Sequence, residues 1–331
     1  MAKLFAVLLI PLLLLGACST NTTPTEPAQP TQEPEATVTT DPQPTVHPHR
    51  EKCSVPAGSK ESLLTYKVIG NRKLRLYFLP PLQQVYEKAP IIFMFPGGGL
   101  MECDIMQPYS IYQSELAAIR NAGFAVATIE YRVGGEGVHA QQVLTDCMDA
   151  VRYVSYYSDV LNVDTQKIVT TGHSSGGHIS LLLAYGPHET FDLDQYWSDA
   201  EDFHVVGSYA LSPGTVFYAG DGPHNGYYSN GASKNASLYP TEEMRHLISP
   251  ITHVGNGGVP CKILMGEEDE LVAAASVAMF KDACDAAGVA CEVVWFKNAG
   301  HGFESRNGQP VTPNYNTERA KILEFAQACI Q

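Results

Sequence analysis

Gly172-His173-Ser174-Ser175-Gly176 has the spacing G-x-S-x-G, in which glycines on either side let the chain turn tightly enough to expose a serine. In a chain with 28 glycines the pattern alone is a weak signal, so its setting decides. Lys167 to Thr171 reads as a buried strand and Ile179 to Ala184 as a helix, the strand-turn-helix context such a serine requires. At the start of that helix the N–H of Ser175 points toward developing negative charge. A serine hydroxyl is a poor nucleophile at neutral pH and needs a base. Of the 11 histidines, His301 is the best placed, in a glycine-flanked loop between the last expected strand and the closing helix. His47 and His49 fall in a proline-rich stretch. His173 should face away from the Ser174 side of the turn, and His178 should pack on or hydrogen-bond to a neighbouring loop.

A histidine base needs a carboxylate to fix its tautomer and stabilise the imidazolium. Leu264-Met265-Gly266-Glu267-Glu268-Asp269-Glu270 offers four acids, of which Asp269 is the choice and Glu268 the alternative. Asp269 follows the strand-ending glycine by three residues. Phe95-Pro96-Gly97-Gly98-Gly99 follows another expected strand, and its glycines let backbone N–H groups approach a tetrahedral intermediate with no side chain in the way. No cofactor and no metal enters this chemistry.

With the order Ser174, Asp269, His301, the chain resembles the hormone-sensitive-lipase-like branch of α/β-hydrolases, and within it the bacterial acetylxylan and feruloyl esterases. The resemblance covers roughly residues 60 to 331 through Pro96-Gly97-Gly98-Gly99, Glu130-Tyr131-Arg132, Asp146, Ala150, Gly172 to His178, Asp269 and His301. It implies an α/β-hydrolase fold, with Ser174 as nucleophile, His301 as base, Asp269 as its orienter, and the N–H groups of Gly98, Gly99 and Ser175 as oxyanion donors. The chain departs from the family in three places. Pro96 stands where the family usually has a histidine that braces the oxyanion loop, and His173 and Ser175 replace the commoner Asp and Ala of the elbow.

These residues need a scaffold, and the apolar pattern supplies one. Leu63 to Ile69 and Leu74 to Leu79 read as an antiparallel entry pair. Ile91 to Phe95, Ala125 to Ile129, Lys167 to Thr171, Val205 to Leu211, Cys261 to Met265 and Glu292 to Phe296 are short apolar runs suited to parallel strands buried on both faces. Helices are expected over Ile111 to Asn121, Val143 to Tyr157, Ser175 to Tyr185, Ala273 to Ala287 and Thr317 to Cys329. The alternation is that of an α/β fold with a mostly parallel central sheet flanked by helices. Residues 212–250 break the rhythm and read as a small insertion over the active site, in which Tyr218, Tyr227, Tyr228 and Tyr239, with nearby Trp197, offer faces for a sugar or phenolic ring or simply pack the insertion down.

The chain has 331 residues and a net charge of −14, which excludes nucleic acid as a partner. Leu4 to Leu15 is too short to span a bilayer, but behind Lys3 it has the layout of an export signal, residues 1–17. Leu15-Gly16-Ala17-Cys18 resembles a bacterial lipobox, which implies lipidation at Cys18 and a lipoprotein exported and anchored at the cell surface or in the outer or cytoplasmic membrane. Residues 18–50, with seven prolines and nine threonines, read as an extended tether, and 51–331 as the catalytic domain. The seven cysteines after Cys18 suggest no metal site by their spacing. Most read as small buried apolar residues, with a bridge among Cys261, Cys284 and Cys291 as the alternative. The expected function is hydrolysis of a small acyl ester or an acylated oligosaccharide, with acetyl or feruloyl-type groups foremost. A serine peptidase of the same fold and a non-catalytic ligand-binding lipoprotein are the competing readings.

Overall fold

Eight strands form one sheet in the order β1-β2-β4-β3-β5-β6-β7-β8. They are β1 Ser62–Ile69, β2 Arg72–Leu79, β3 Ala89–Phe95, β4 Ala125–Ile129, β5 Val163–His173, β6 Val205–Leu211, β7 Cys261–Gly266 and β8 Cys291–Phe296. β2 runs antiparallel to β1 and β4, and every other pairing is parallel. The helices are α1 Gln107–Ile111, α2 Leu116–Asn121, α3 Ala140–Tyr156, α4 Ser158–Leu161, α5 Ser175–Tyr185, α6 Glu242–Leu247, α7 Ala274–Ala287, α8 Tyr315–Ala320 and α9 Ile322–Cys329. This computed structural model describes residues 50–55, 60–218, 236–255 and 257–331, all within the compact unit 44–331. The sequence-derived signal 1–17, Cys18 and the tether to residue 49 lie outside the described residues, as do Tyr227 and Tyr228. No helix among the described residues is long and apolar enough to cross a membrane.

Strand β3 shows why its run is continuously apolar. Ile91, Phe93 and Phe95 pack into the core layer that holds α3 and α5, while Ile92 and Met94 pack into the opposite layer with α2 and α9. Period two with both faces covered leaves no polar position. The antiparallel entry pair and the six further strands are where the pattern placed them.

Two expected helices are broken. Ile111 to Asn121 divides into α1 and α2, because Tyr112 turns wholly inward and its hydroxyl meets Thr171 Oγ1 on β5 at 2.8 Å. The closing helix begins earlier, at Tyr315, where Asn314 Oδ1 accepts the N–H of Thr317 as an N-cap, and it breaks at Lys321. Arg50 pairs with Asp199 at 2.7 Å and lies 4.1 Å over Trp197, so the last tether residue is fastened to the domain. Trp197 is itself 1% exposed among Tyr153, Tyr156, Tyr157 and Tyr196, and Tyr239 is 3% exposed, so neither presents a face for a ring to stack on. Tyr218 stacks on His246 at 3.7 Å.

Candidate active site

The sheet register brings the loops together. Phe95 pairs with Gly172, His173 with Leu211, and Gly266 with Phe296, so the segments that follow β3, β5, β6, β7 and β8 all leave the carboxyl edge side by side. Ser174 sits between β5 and α5 at φ 58° and ψ −123°, a conformation costly for a residue with a side chain. The elbow is held by Ser174 N–H donating to Leu211 O at 2.8 Å and His178 N–H donating to Ser174 O at 3.0 Å. Glycine is obligatory beside it, since a Cβ on Gly172 would stand 2.6 Å from Phe95 O and one on Gly176 would strike the same carbonyl.

His301 donates from Nδ1 to Asp269 Oδ2 at 2.8 Å, which leaves Nε2 as the acceptor nitrogen. Asp269 Oδ1 takes the N–H groups of Leu271 and Val272 at 2.9 and 2.8 Å, so both carboxylate oxygens are engaged. The neighbouring acids are occupied elsewhere. Glu268 accepts from Asn307 at 3.2 Å, and Glu270 pairs with Arg306 at 3.2 Å. Of the alternatives open in the sequence, Asp269 is the one that meets His301. The two loops are tied by Glu267 N–H to Phe296 O and Glu268 N–H to Ala299 O, both 3.0 Å. Gly266 permits this, because a Cβ there would lie 2.6 Å from Gly300 O.

Ser174 Oγ makes no hydrogen bond among the described residues. The His301 loop is instead fixed to the elbow by its backbone. His173 Nε2 donates to His301 O at 2.9 Å with the two rings 4.8 Å apart, and Ser212 Oγ donates to the same carbonyl at 3.1 Å. Burial pulls the His173 imidazole below histidine's ordinary range, which keeps it the neutral Nε2–H tautomer that this contact needs. Sequence reading expected His173 to face away from Ser174 and gave it no role; it props the His301 loop. His178 behaves as expected, donating from Nε2 to Ile248 O at 2.7 Å, with the Phe217 ring tilted against it at 4.4 Å between centroids.

The Pro96-Gly97-Gly98-Gly99 loop lies against the elbow, with a Cβ on Gly97 2.7 Å from His173 O. Gly98 and Gly99 adopt φ 124° and 63°, and Gly98 is exposed with Gly99 half-buried. Among the described residues no acceptor takes the N–H of Gly98, Gly99 or Ser175. The brace that Pro96 cannot give comes from two residues, of which sequence reading missed Gln107. Gln107 Oε1 accepts the buried Gly97 N–H at 2.5 Å, and Tyr131 OH donates to Pro96 O at 2.8 Å. Tyr131 is anchored in turn by its neighbour, since Arg132 grips Asp146 through Nε and an Nη at 2.7 and 2.8 Å, and Asp146 also holds the buried Lys67 at 2.9 Å. The Glu130-Tyr131-Arg132 run was legible, but nothing local marked Gln107.

The family model designated BD-FAE matches residues 77–283. Among solved structures, esterase Est2 of Thermogutta terrifontis with propionate bound superposes with a TM-score of 0.62 at 25% identity, covering 82% of this chain and 94% of that one. Endo-1,4-beta-xylanase B of Butyrivibrio fibrisolvens is 25% identical over 231 residues, 67% of this chain. Lipase 2 of Moraxella sp. (strain TA144) is 29% identical over 113 residues, 34% of this chain. The matched stretch spans 34% of the xylanase and 24% of the lipase.

Proposed function

Because this chain belongs to the BD-FAE family and is an esterase-type α/β-hydrolase, we propose that Ser174, His301 and Asp269 form its catalytic triad and that it removes acetyl or feruloyl-type acyl groups from carbohydrate outside the cell. The observation that carries the reading is the coupled pair His301–Asp269, delivered by the loops after β8 and β7 to the same sheet edge as the strained Ser174 elbow. In the first half-reaction Ser174 Oγ attacks the ester carbonyl while His301 Nε2 takes its proton. The N–H groups of Gly98, Gly99 and Ser175 receive the negative oxygen. Collapse expels the sugar alkoxide, which leaves as the alcohol with the proton returned by His301. Water, deprotonated by the same nitrogen, then cleaves the acyl-serine and releases the carboxylic acid.

The acyl and alcohol classes rest on the relatives. Propionate is bound in the Thermogutta esterase structure, which supports a short acyl group, and the xylanase relative supports a xylan-type polysaccharide as its carrier. Export and anchoring belong to the same proposal: residues 1–17 direct the chain out, Cys18 carries the lipid, and a tether of about 30 residues at up to about 3 Å each gives the domain reach toward a polymer. The test is a panel of acetylated and feruloylated xylo-oligosaccharides, p-nitrophenyl acetate and peptide anilides, run with the wild-type protein and Ser174→Ala. Ester cleavage that disappears in Ser174→Ala is expected. Activity of more than a few per cent in that variant removes Ser174 from the mechanism, and preference for the anilides would replace the esterase with a peptidase.

A further inference from the structure

Far from the triad, three cysteines meet at the amino ends of β7 and β8, Cys284 and Cys291 seven residues apart and Cys261 23 residues before Cys284. Cys261 opens β7, Cys291 opens β8 directly beside it in register, and Cys284 lies in the last turn of α7. All three sulfurs lie within 4.8 Å of one another, none is in a disulfide, and the residues are 2%, 9% and 0% exposed in that order. The spacing suggests no metal site because no Cys-x-x-Cys occurs, yet the register and the helix return bring three thiols together.

The geometry fits a single small ion. Three sulfurs at about 2.3 Å from a central cation stand about 4 Å apart, inside the separation found here. A disulfide would use two of the sulfurs and leave the third idle, whereas one cation engages all three. Access exists, since an open cleft of about 440 Å³ is lined by Pro260, Cys261, Lys262, Asp285, Cys291 and Glu292. Two of the three cysteines are thus among the residues that line this cleft, beside the buried cluster.

We propose that Cys261, Cys284 and Cys291 bind a soft divalent d10 cation of the zinc class, with three thiolates as ligands and a water from the cleft in the fourth position. Binding is coordination without redox change; each thiol loses its proton to solvent and the ion loses water. Asp269 and His301 follow the other ends of β7 and β8, about 20 Å away at about 3.3 Å per residue, so the ion would clip two strands and α7 together without touching the triad.

Titrating the full chain, reduced and free of chelator, with Cd(II) as the spectroscopic stand-in tests this. A thiolate-to-cadmium charge-transfer band that saturates at one ion per chain and is abolished by Zn(II) competition is expected. Cys284→Ser should lose the band, while Cys103→Ser and Cys329→Ser keep it. If Cys284→Ser folds poorly, proton release from the wild type decides, because one equivalent of Cd(II) should displace about three thiol protons into weakly buffered solution and release of one or none would count against the site. Absence of the band, its survival in Cys284→Ser, or two of the three already joined as a disulfide in the isolated protein would overturn the proposal.

Discussion

Replacing Gln107 by Leu keeps a side chain of similar size but removes the acceptor that holds the Gly97 N–H at 2.5 Å. Gly97 is buried, so its N–H would be left unpaired at a cost of about 1–3 kcal/mol unless the loop moves to find another partner. Movement is the cheaper outcome, because Gly98 is exposed and, among the described residues, no acceptor holds the neighbouring N–H groups of Gly98 and Gly99. Those donors act on the oxyanion and not on the ground-state ester, so the loss should fall on kcat with KM nearly unchanged. One to three kcal/mol corresponds to about a 5- to 150-fold fall in kcat. Gln107→Glu keeps an acceptor and should retain most of the activity. Steady-state kinetics on p-nitrophenyl acetate measure both variants, with circular dichroism confirming the fold. A folded Gln107→Leu protein with wild-type kcat would refute the brace, and a rise in KM at constant kcat would assign Gln107 to substrate binding instead.

Asp269→Asn should cost roughly 10³- to 10⁴-fold in kcat, since the amide cannot hold the His301 tautomer, whereas Glu268→Gln and Glu270→Gln should cost little; the reverse ranking would show the wrong acid had been chosen. His178 is fully buried, and burial lowers its pKa from 6.5 to about 4. The folded state therefore resists a proton that the unfolded chain accepts, so the stability contribution is complete above pH 6.5 and is lost as pH falls to about 4, a total near ~3 kcal/mol. Urea midpoints across that range should fall more steeply for the wild type than for His178→Gln, and parallel curves would remove His178 as a source of acid sensitivity. Cys18→Ser should release the protein from the membrane fraction with turnover of a soluble ester unchanged, and extraction of the wild type by salt alone would argue against lipidation.

The sequence by itself determined whatever depends on neighbours along the chain. Strands buried on both faces declare themselves as continuous apolar runs, as Ile91 to Phe95 does, and the elbow declares itself because a strand-to-helix turn so tight demands Gly172 and Gly176. Asp269 and His301 were legible because each follows a strand end, and strand ends at one edge of a parallel sheet converge on one place. Tertiary structure decided which side chains meet across those elements. Lys67 and Asp146 are 79 residues apart, and His173 and the carbonyl of His301 are 128 apart. Gln107 is only ten residues from Gly97, yet its contact depends on how the intervening loop folds back. The helix breaks near Tyr112 and at Lys321, and the three-cysteine cluster, share this cause. Periodicity records how much of each residue is buried and on which face, while partners are chosen by register, crossover and loop closure, which no local pattern encodes.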